Sequence, residues 1–214
     1  MTARAPRLDR ERMANAIAEF LAATGDDPRR GPLRRTPERV TEAALELLGG
    51  IGVDPVPMLT AGRIPLDDPA SEAAGASDQP VLVRGAAFRS TCEHHLLPFT
   101  GTVHVAYVPS ESIIGLSRIY DLVDIVSTRL TLQERIGDDL VDALMEGLDA
   151  RGALAVIVAT HGCVGLRGSR QERGETITVS GRGTLADPAG RAEVMALLGK
   201  GITTGGSSAT PVGI

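Results

Sequence analysis

Tryptophan is absent from this 214-residue sequence, and aromatic residues make up only 2% of it. With a formal net charge of −5, the chain lacks both the stacking platforms and the surplus of cations that a nucleic-acid surface needs, which argues against a nucleic-acid partner. Lysine is nearly missing as well: Lys200 stands alone, and arginine carries almost all the positive charge. Alongside abundant alanine and glycine, this reads as compositional bias and nothing functional is drawn from it. No apolar run approaches the roughly 18 residues that cross a bilayer, and the N-terminus has no apolar signal core or cleavage site. No membrane partner is expected, and the expected location is the cytoplasm. The two cysteines, Cys92 and Cys163, are too few for a disulfide scaffold in a chain this long, so they read as thiols for metal binding or chemistry.

A hydrophobic content of 43% is enough to bury one sizeable core, whereas two full domains would each be small. The periodicity predicts a helical N-terminal arm over 1–50. Leu8, Met13, Ile17, Phe20 and Leu21 recur at helical spacing as far as Gly25. Thr36 is placed to cap a second helix with Pro37 at its first position, and Val40, Ala44, Leu47 and Leu48 form a stripe that Gly49 and Gly50 stop. Residues 51–80, rich in Pro, Asp, Ala, Gly and Ser, read as a connecting segment.

From 81 to 186 the pattern changes to strands and amphipathic helices, read as one domain. Residues 81–89 and 101–109 read as strands flanking the 90–100 segment. Ile119, Leu122, Val123, Val126 and Leu130 fall on one helical face, as do Leu132, Ile136, Leu140, Leu144 and Leu148. Strands follow at 154–158 and around 176–179, giving the order ββααββ in an α+β fold with two helices packed on an antiparallel sheet. Residues 187–214 are expected to hold a C-terminal helix and, from 201, a flexible tail.

Both cysteines and three of the four histidines fall in two short segments: Cys92-Glu93-His94-His95 and His161-Gly162-Cys163. By itself, Cys-x-x-His more often marks core residues that happen to lie near a hairpin. The second segment weakens that explanation, because Cys163 offers a third donor from the end of another strand. Cys92, His95 and Cys163 can hold Zn2+ and leave a fourth position for water, whose pKa a bound zinc lowers toward ~7. His94 and His161 stand beside donors without being needed as ligands, which suits general acid–base catalysis. His104, inside an alternating strand, reads as structural.

These segments, together with Thr36-Pro37-x-Arg39-Val40, Ala106-Tyr107-Val108-Pro109, Ile114-Gly115-Leu116-Ser117-Arg118-Ile119, Gln133-Glu134-Arg135 and the following Arg167-Gly168, resemble the signature blocks of the GTP cyclohydrolase I family, in order and at family spacing. The resemblance runs over roughly residues 10–185 and implies the tunnelling fold, with subunits joined edge to edge into a homo-oligomer, usually a decamer, and active sites between subunits. It also implies zinc on Cys92, His95 and Cys163, proton transfer by His94 and His161, and Glu134 on the guanine edge, with Gln133, Leu116 and Ser117 helping to hold the base and nucleotide. The implied reaction opens the guanine imidazole ring of GTP at C8, releases formate and forms 7,8-dihydroneopterin triphosphate.

Arg39 and Arg167 match phosphate-binding positions, and Arg118 stands where lysine is common. Glu42 and Asp121, however, stand where the family usually has cations. Either nearby arginines such as Arg129, Arg170 or Arg173 compensate, or the substrate is a less phosphorylated or different purine. A further alternative, a non-catalytic zinc-binding interaction protein, has no use for His94 and His161 beside the metal. Relatives of the fold that use a cysteine nucleophile with a nicotinamide cofactor, or three histidines on zinc, do not match this pattern of residues.

Overall fold

The computed structural model describes residues 8–66 and 79–199. In chain order the elements are α1 (Arg10–Ala23), α2 (Thr36–Leu47), α3 (Val56–Ala61), β1 (Arg63–Pro65), β2 (Val81–Cys92), β3 (Pro98–Val108), β4 (Ser112–Ile114), α4 (Leu116–Ser127), β5 (Leu130–Thr131), α5 (Gln133–Leu148), β6 (Gly152–His161), α6 (Gly162–Gly165), β7 (Thr176–Gly183) and α7 (Pro188–Gly199).

Asp9 caps α1, its carboxylate accepting from the Arg12 N–H at 3.0 Å. At α2 the cap differs from expectation: Arg35 occupies the position, no side chain caps, and Thr36 is already helical with Pro37 in the first turn. The helix starts one residue early because the Arg39 N–H, the donor a Thr36 cap would take, already donates to the Arg35 carbonyl at 3.1 Å. The connecting segment is more ordered than its composition suggests. It contains α3, whose Leu59 is fully buried, and β1, which pairs antiparallel with β4. Six residues of helix and three of strand are too short for a period to register.

The main sheet has the order β5-β2-β3-β6-β7, antiparallel except where β5 runs parallel to β2. Burial of Ala86, Phe88, Ser90 and Cys92 alternates to the end of β2, so this strand outlasts its expected limit and carries Cys92 to the hairpin turn. Leu130 does not lie on the α4 face as expected. The Thr128 hydroxyl takes the Asp124 carbonyl at 2.7 Å, the helix stops at Ser127, and Leu130 joins β5, where it is exposed. One sheet face is covered by α4 and α5, with Val103, Ile119, Leu122, Val126, Ile136, Leu140, Leu144 and Ile157 in a common core that also takes Leu59. On the other face, Val194 and Leu198 of α7 pack over Ala106, Leu154 and Val156. This α+β arrangement, with its ββααββ order, is the expected one; residues 201–214 lie outside the described residues.

Candidate metal centre and active site

Cys92 ends β2 and the chain turns at once. The Cys92 N–H donates to the Leu97 carbonyl at 2.9 Å, while its own carbonyl accepts from Leu96 N at 2.8 Å, and Leu96 takes a left-handed φ of 53°. The turn is tied sideways to β5 and α5: Glu93 N donates to Thr131 O at 3.2 Å, and the Glu93 carboxylate pairs with Arg135 at 3.3 Å. So held, the loop swings His95 back until Nδ1 lies 3.8 Å from Cys92 Sγ. The third group arrives through the sheet. Register pairs Phe99 of β3 with His161 at the end of β6, and the chain then turns into α6, which carries Cys163 to the same place.

The donor atoms of Cys92, His95 and Cys163 all lie within 4.8 Å of one another. Zinc takes thiolate and imidazole at roughly 2.0–2.3 Å, so ligand atoms about 4 Å apart can share it, and two sulfurs with one imidazole are a donor set it favours. Cys92 is buried, Cys163 half-buried and His95 exposed, so the cluster is backed by core and open on one side. Burial first, and the adjacent Cys92 sulfur second, hold the Cys163 thiol above its ordinary range, with Arg167 pulling the other way. A cation between the sulfurs reverses that balance by favouring the thiolates.

The two remaining histidines differ. His161 stacks on Phe99, with ring centroids 4.7 Å apart and planes 7° apart, and its Nε2 lies 2.8 Å from Gln133 Oε1. Burial lowers its pKa, with the Glu134 charge opposing. His94 is exposed, its ring edge-on to His95 at a centroid distance of 6.2 Å. Glu134 is exposed in the first turn of α5, close enough for its charge to act on His161. Gln133 is buried, its amide nitrogen donating to the Ile157 and Thr176 carbonyls while its oxygen faces His161 Nε2.

Of the other expected site residues, Arg167 lies near enough for its charge to act on Cys163, and none supplies a donor to the cluster. Leu116, Ser117 and Arg118 form the exposed first turn of α4, and Arg39 is exposed on α2; neither element supplies a donor to the cluster. Arg118 pairs with Asp121 at 3.3 Å, and Glu42 pairs with Arg10. Arg167, Arg170 and Arg173 are exposed in the segment after α6. Arg129 is not a spare cation: it donates to the Gly50 and Ile125 carbonyls at 3.0 Å and to Val53 O at 2.7 Å, and pairs with Asp139 at 3.3 Å. Phe99 beneath His161 and the Glu93–Arg135 tie were not legible as site features, because both depend on register and packing between distant segments.

His104 has a structural role, as expected. Its Nδ1 accepts from Gly85 N at 3.1 Å at the β2 bulge, where Gly85 has a φ of 71°.

Comparison with known proteins gives consistent matches over this whole framework. The family profile for GTP cyclohydrolase I matches residues 13–199. A GTP cyclohydrolase 1 from Leifsonia xyli subsp. xyli is 45% identical over 193 residues, covering 90% of this chain and 97% of that protein. One from Streptomyces avermitilis is 41% identical over 192 residues, covering 89% of this chain and 90% of its own, and one from Rhodopirellula baltica is 39% identical over 194 residues, covering 90% and 80%. Since these matches take in both arms of the Cys–His–Cys cluster and the helices and strands that carry them, the chain belongs to the GTP cyclohydrolase I family and has its tunnelling fold.

Proposed function

We propose that this chain is a zinc-dependent cyclohydrolase that opens the guanine imidazole ring of GTP at C8, releases formate and forms 7,8-dihydroneopterin triphosphate. The observation that carries the proposal is the convergence of Cys92, His95 and Cys163 from two separate segments, with His161 and the exposed His94 next to these donors in the chain. Zinc held by those three residues would supply a Lewis acid that lowers the pKa of the attacking water.

The protein groups supply orientation and protons. Opening the ring is two hydrolytic cleavages: water adds at C8, both C8–N bonds break, each nitrogen takes a proton, and C8 leaves as formate. His161 accepts a proton in one step and returns it in the next, and His94 serves the second nitrogen. Glu134 offers two acceptor oxygens to the adjacent N–H donors of the guanine edge. Leu116 and Ser117 hold the base from a neighbouring subunit, and Arg39, Arg118 and Arg167 bind phosphate. This division fits a decameric ring with active sites between subunits, and neither α4 nor α2 supplies a donor to the cluster.

A second reading, in which the substrate has fewer phosphates, is favoured by one observation. Arg118 is offset by Asp121, and Glu42 is paired with Arg10, so neither of the two positions at which the family usually has cations offers a spare one to a triphosphate. One experiment separates the two. Zinc-loaded protein is incubated with GTP, GDP, GMP and guanosine, and formate and pterin fluorescence are measured. Formate with dihydroneopterin triphosphate from GTP is the expected result. Turnover confined to the less phosphorylated compounds favours the second reading, and no formate from any of them overturns both.

A further inference from the structure

Gln133 opens α5, yet its side chain is only 1% exposed. The amide nitrogen lies 3.1 Å from Ile157 O, 2.9 Å from Thr176 O and 3.2 Å from Thr178 Oγ1. Two of these partners are carbonyls, which only accept, so the end of the amide facing them is the NH2 group. Turned over, the amide would set its oxygen against two carbonyl oxygens and lose both bonds. Its oxygen is therefore committed to the other side, 2.8 Å from His161 Nε2. An amide oxygen also only accepts, so Nε2 carries a hydrogen, and in the neutral ring the lone pair is left on Nδ1. The face-to-face stack on Phe99 fixes the ring plane.

We propose that Gln133 is a positioning residue that locks His161 in the Nε2–H tautomer, making Nδ1 the atom at which this histidine takes up and returns a proton. The inference rests on the reading of His161 as an acid–base group, and it gives Gln133 an effect on the substrate through that ring. The proton balance is simple. An O–H bond of the attacking water breaks as the Nδ1–H bond forms; the imidazolium keeps its Nε2–H donated to Gln133 Oε1; the proton then passes from Nδ1 to a nitrogen freed from C8, and the ring ends neutral. Because the Gln133 bond persists in both states, the ring does not have to turn between the two transfers. Without the lock both tautomers are populated, and a histidine in the wrong tautomer is a poor base even in unchanged geometry.

The test is the imidazole 15N spectrum of zinc-loaded protein carrying 15N-histidine, recorded at a pH where the ring is neutral, with His161 assigned by its loss in His161→Ala. The expected wild-type signal is a protonated Nε2 and a bare Nδ1. Gln133→Leu is expected to give mixed tautomers and to lower kcat by about 100-fold, with KM for the turned-over nucleotide within about threefold. Gln133→Glu, whose protonated carboxyl presents a carbonyl to His161 and an O–H to the strand, is expected to keep the tautomer and recover most of kcat. A protonated Nδ1 in the wild type overturns the proposal, as does Gln133→Leu with an unchanged tautomer or with a loss confined to KM. If Gln133→Leu does not fold, the wild-type spectrum and Gln133→Glu decide. An Nδ1–H signal in a protein that releases formate removes the lock alone, whereas an Nε2–H signal with no formate from any purine leaves the lock standing and removes the proposed reaction.

Discussion

Cys92 and His161 have opposite relations to their neighbours, and each can be probed alone. The Cys92 sulfur has His95 three residues away on a turn, so half of the candidate metal site is local in sequence. Cys163 completes it only across the sheet, and Cys163→Ala is expected to lose zinc, measured by metal analysis of purified protein; full occupancy in that variant would remove the ligand assignment. His161→Ala is expected to keep zinc and lose turnover, because His161 is placed beside the donors and held by Gln133 and Phe99. His104 offers a pH test away from the site. Burial, then the Arg84 charge, lowers its pKa from the ordinary 6.5, and its Nδ1 must be bare to accept from Gly85 N. The unfolded chain therefore binds the proton more readily, so the contribution of His104 to stability is complete above about pH 6.5 and is lost as the pH falls toward the folded pKa. Denaturant titrations at pH 5 and 8 should show a pH-dependent loss that is smaller in His104→Asn, whose amide oxygen keeps the acceptor; an identical loss in both proteins would contradict this. The residue types were readable from the sequence, and their bonding partners were not, since Phe99 meets His161 only through the β3–β6 register.

At the scale of elements, long periodic segments announced themselves and short ones did not. The stripes of α4 and α5 are visible because each helix must hide one face against the sheet, and Ile119, Leu122, Ile136 and Leu140 are completely buried there. Leu130 misled because a residue at helical spacing still depends on where the helix ends, and Thr128 ends it early. α3 was missed outright, although its Leu59 is fully buried in the same core. Leu59→Ala is accordingly expected to cost about 2–5 kcal/mol, read from the midpoint of chemical denaturation. A cost below ~1 kcal/mol would mean that α3 is an ornament on the core rather than part of it.

For the whole molecule, the open question raised by the geometry is what covers its edges. β7 is an edge strand with Ile177 64% and Val179 41% exposed, and α1 has no buried residue while Phe20 is 66% exposed. Edges of this kind invite pairing with another chain. Sedimentation velocity is expected to give a ring-sized oligomer, and Ile177→Asp to yield smaller species with reduced turnover, as the proposed intersubunit site requires. A wild-type monomer with full activity would remove the intersubunit site. The sequence by itself determined the chemistry on offer and the main elements: thiols and imidazoles in two blocks, and the ββααββ order, because donor types and hydrophobic periods are local properties. Only the tertiary structure decided that the two blocks meet, that Arg129 is tied to carbonyls while Arg118 is offset by Asp121, and that Gln133 faces His161. Those outcomes rest on strand register and on which partner wins each donor, and both are settled by groups far apart in the chain.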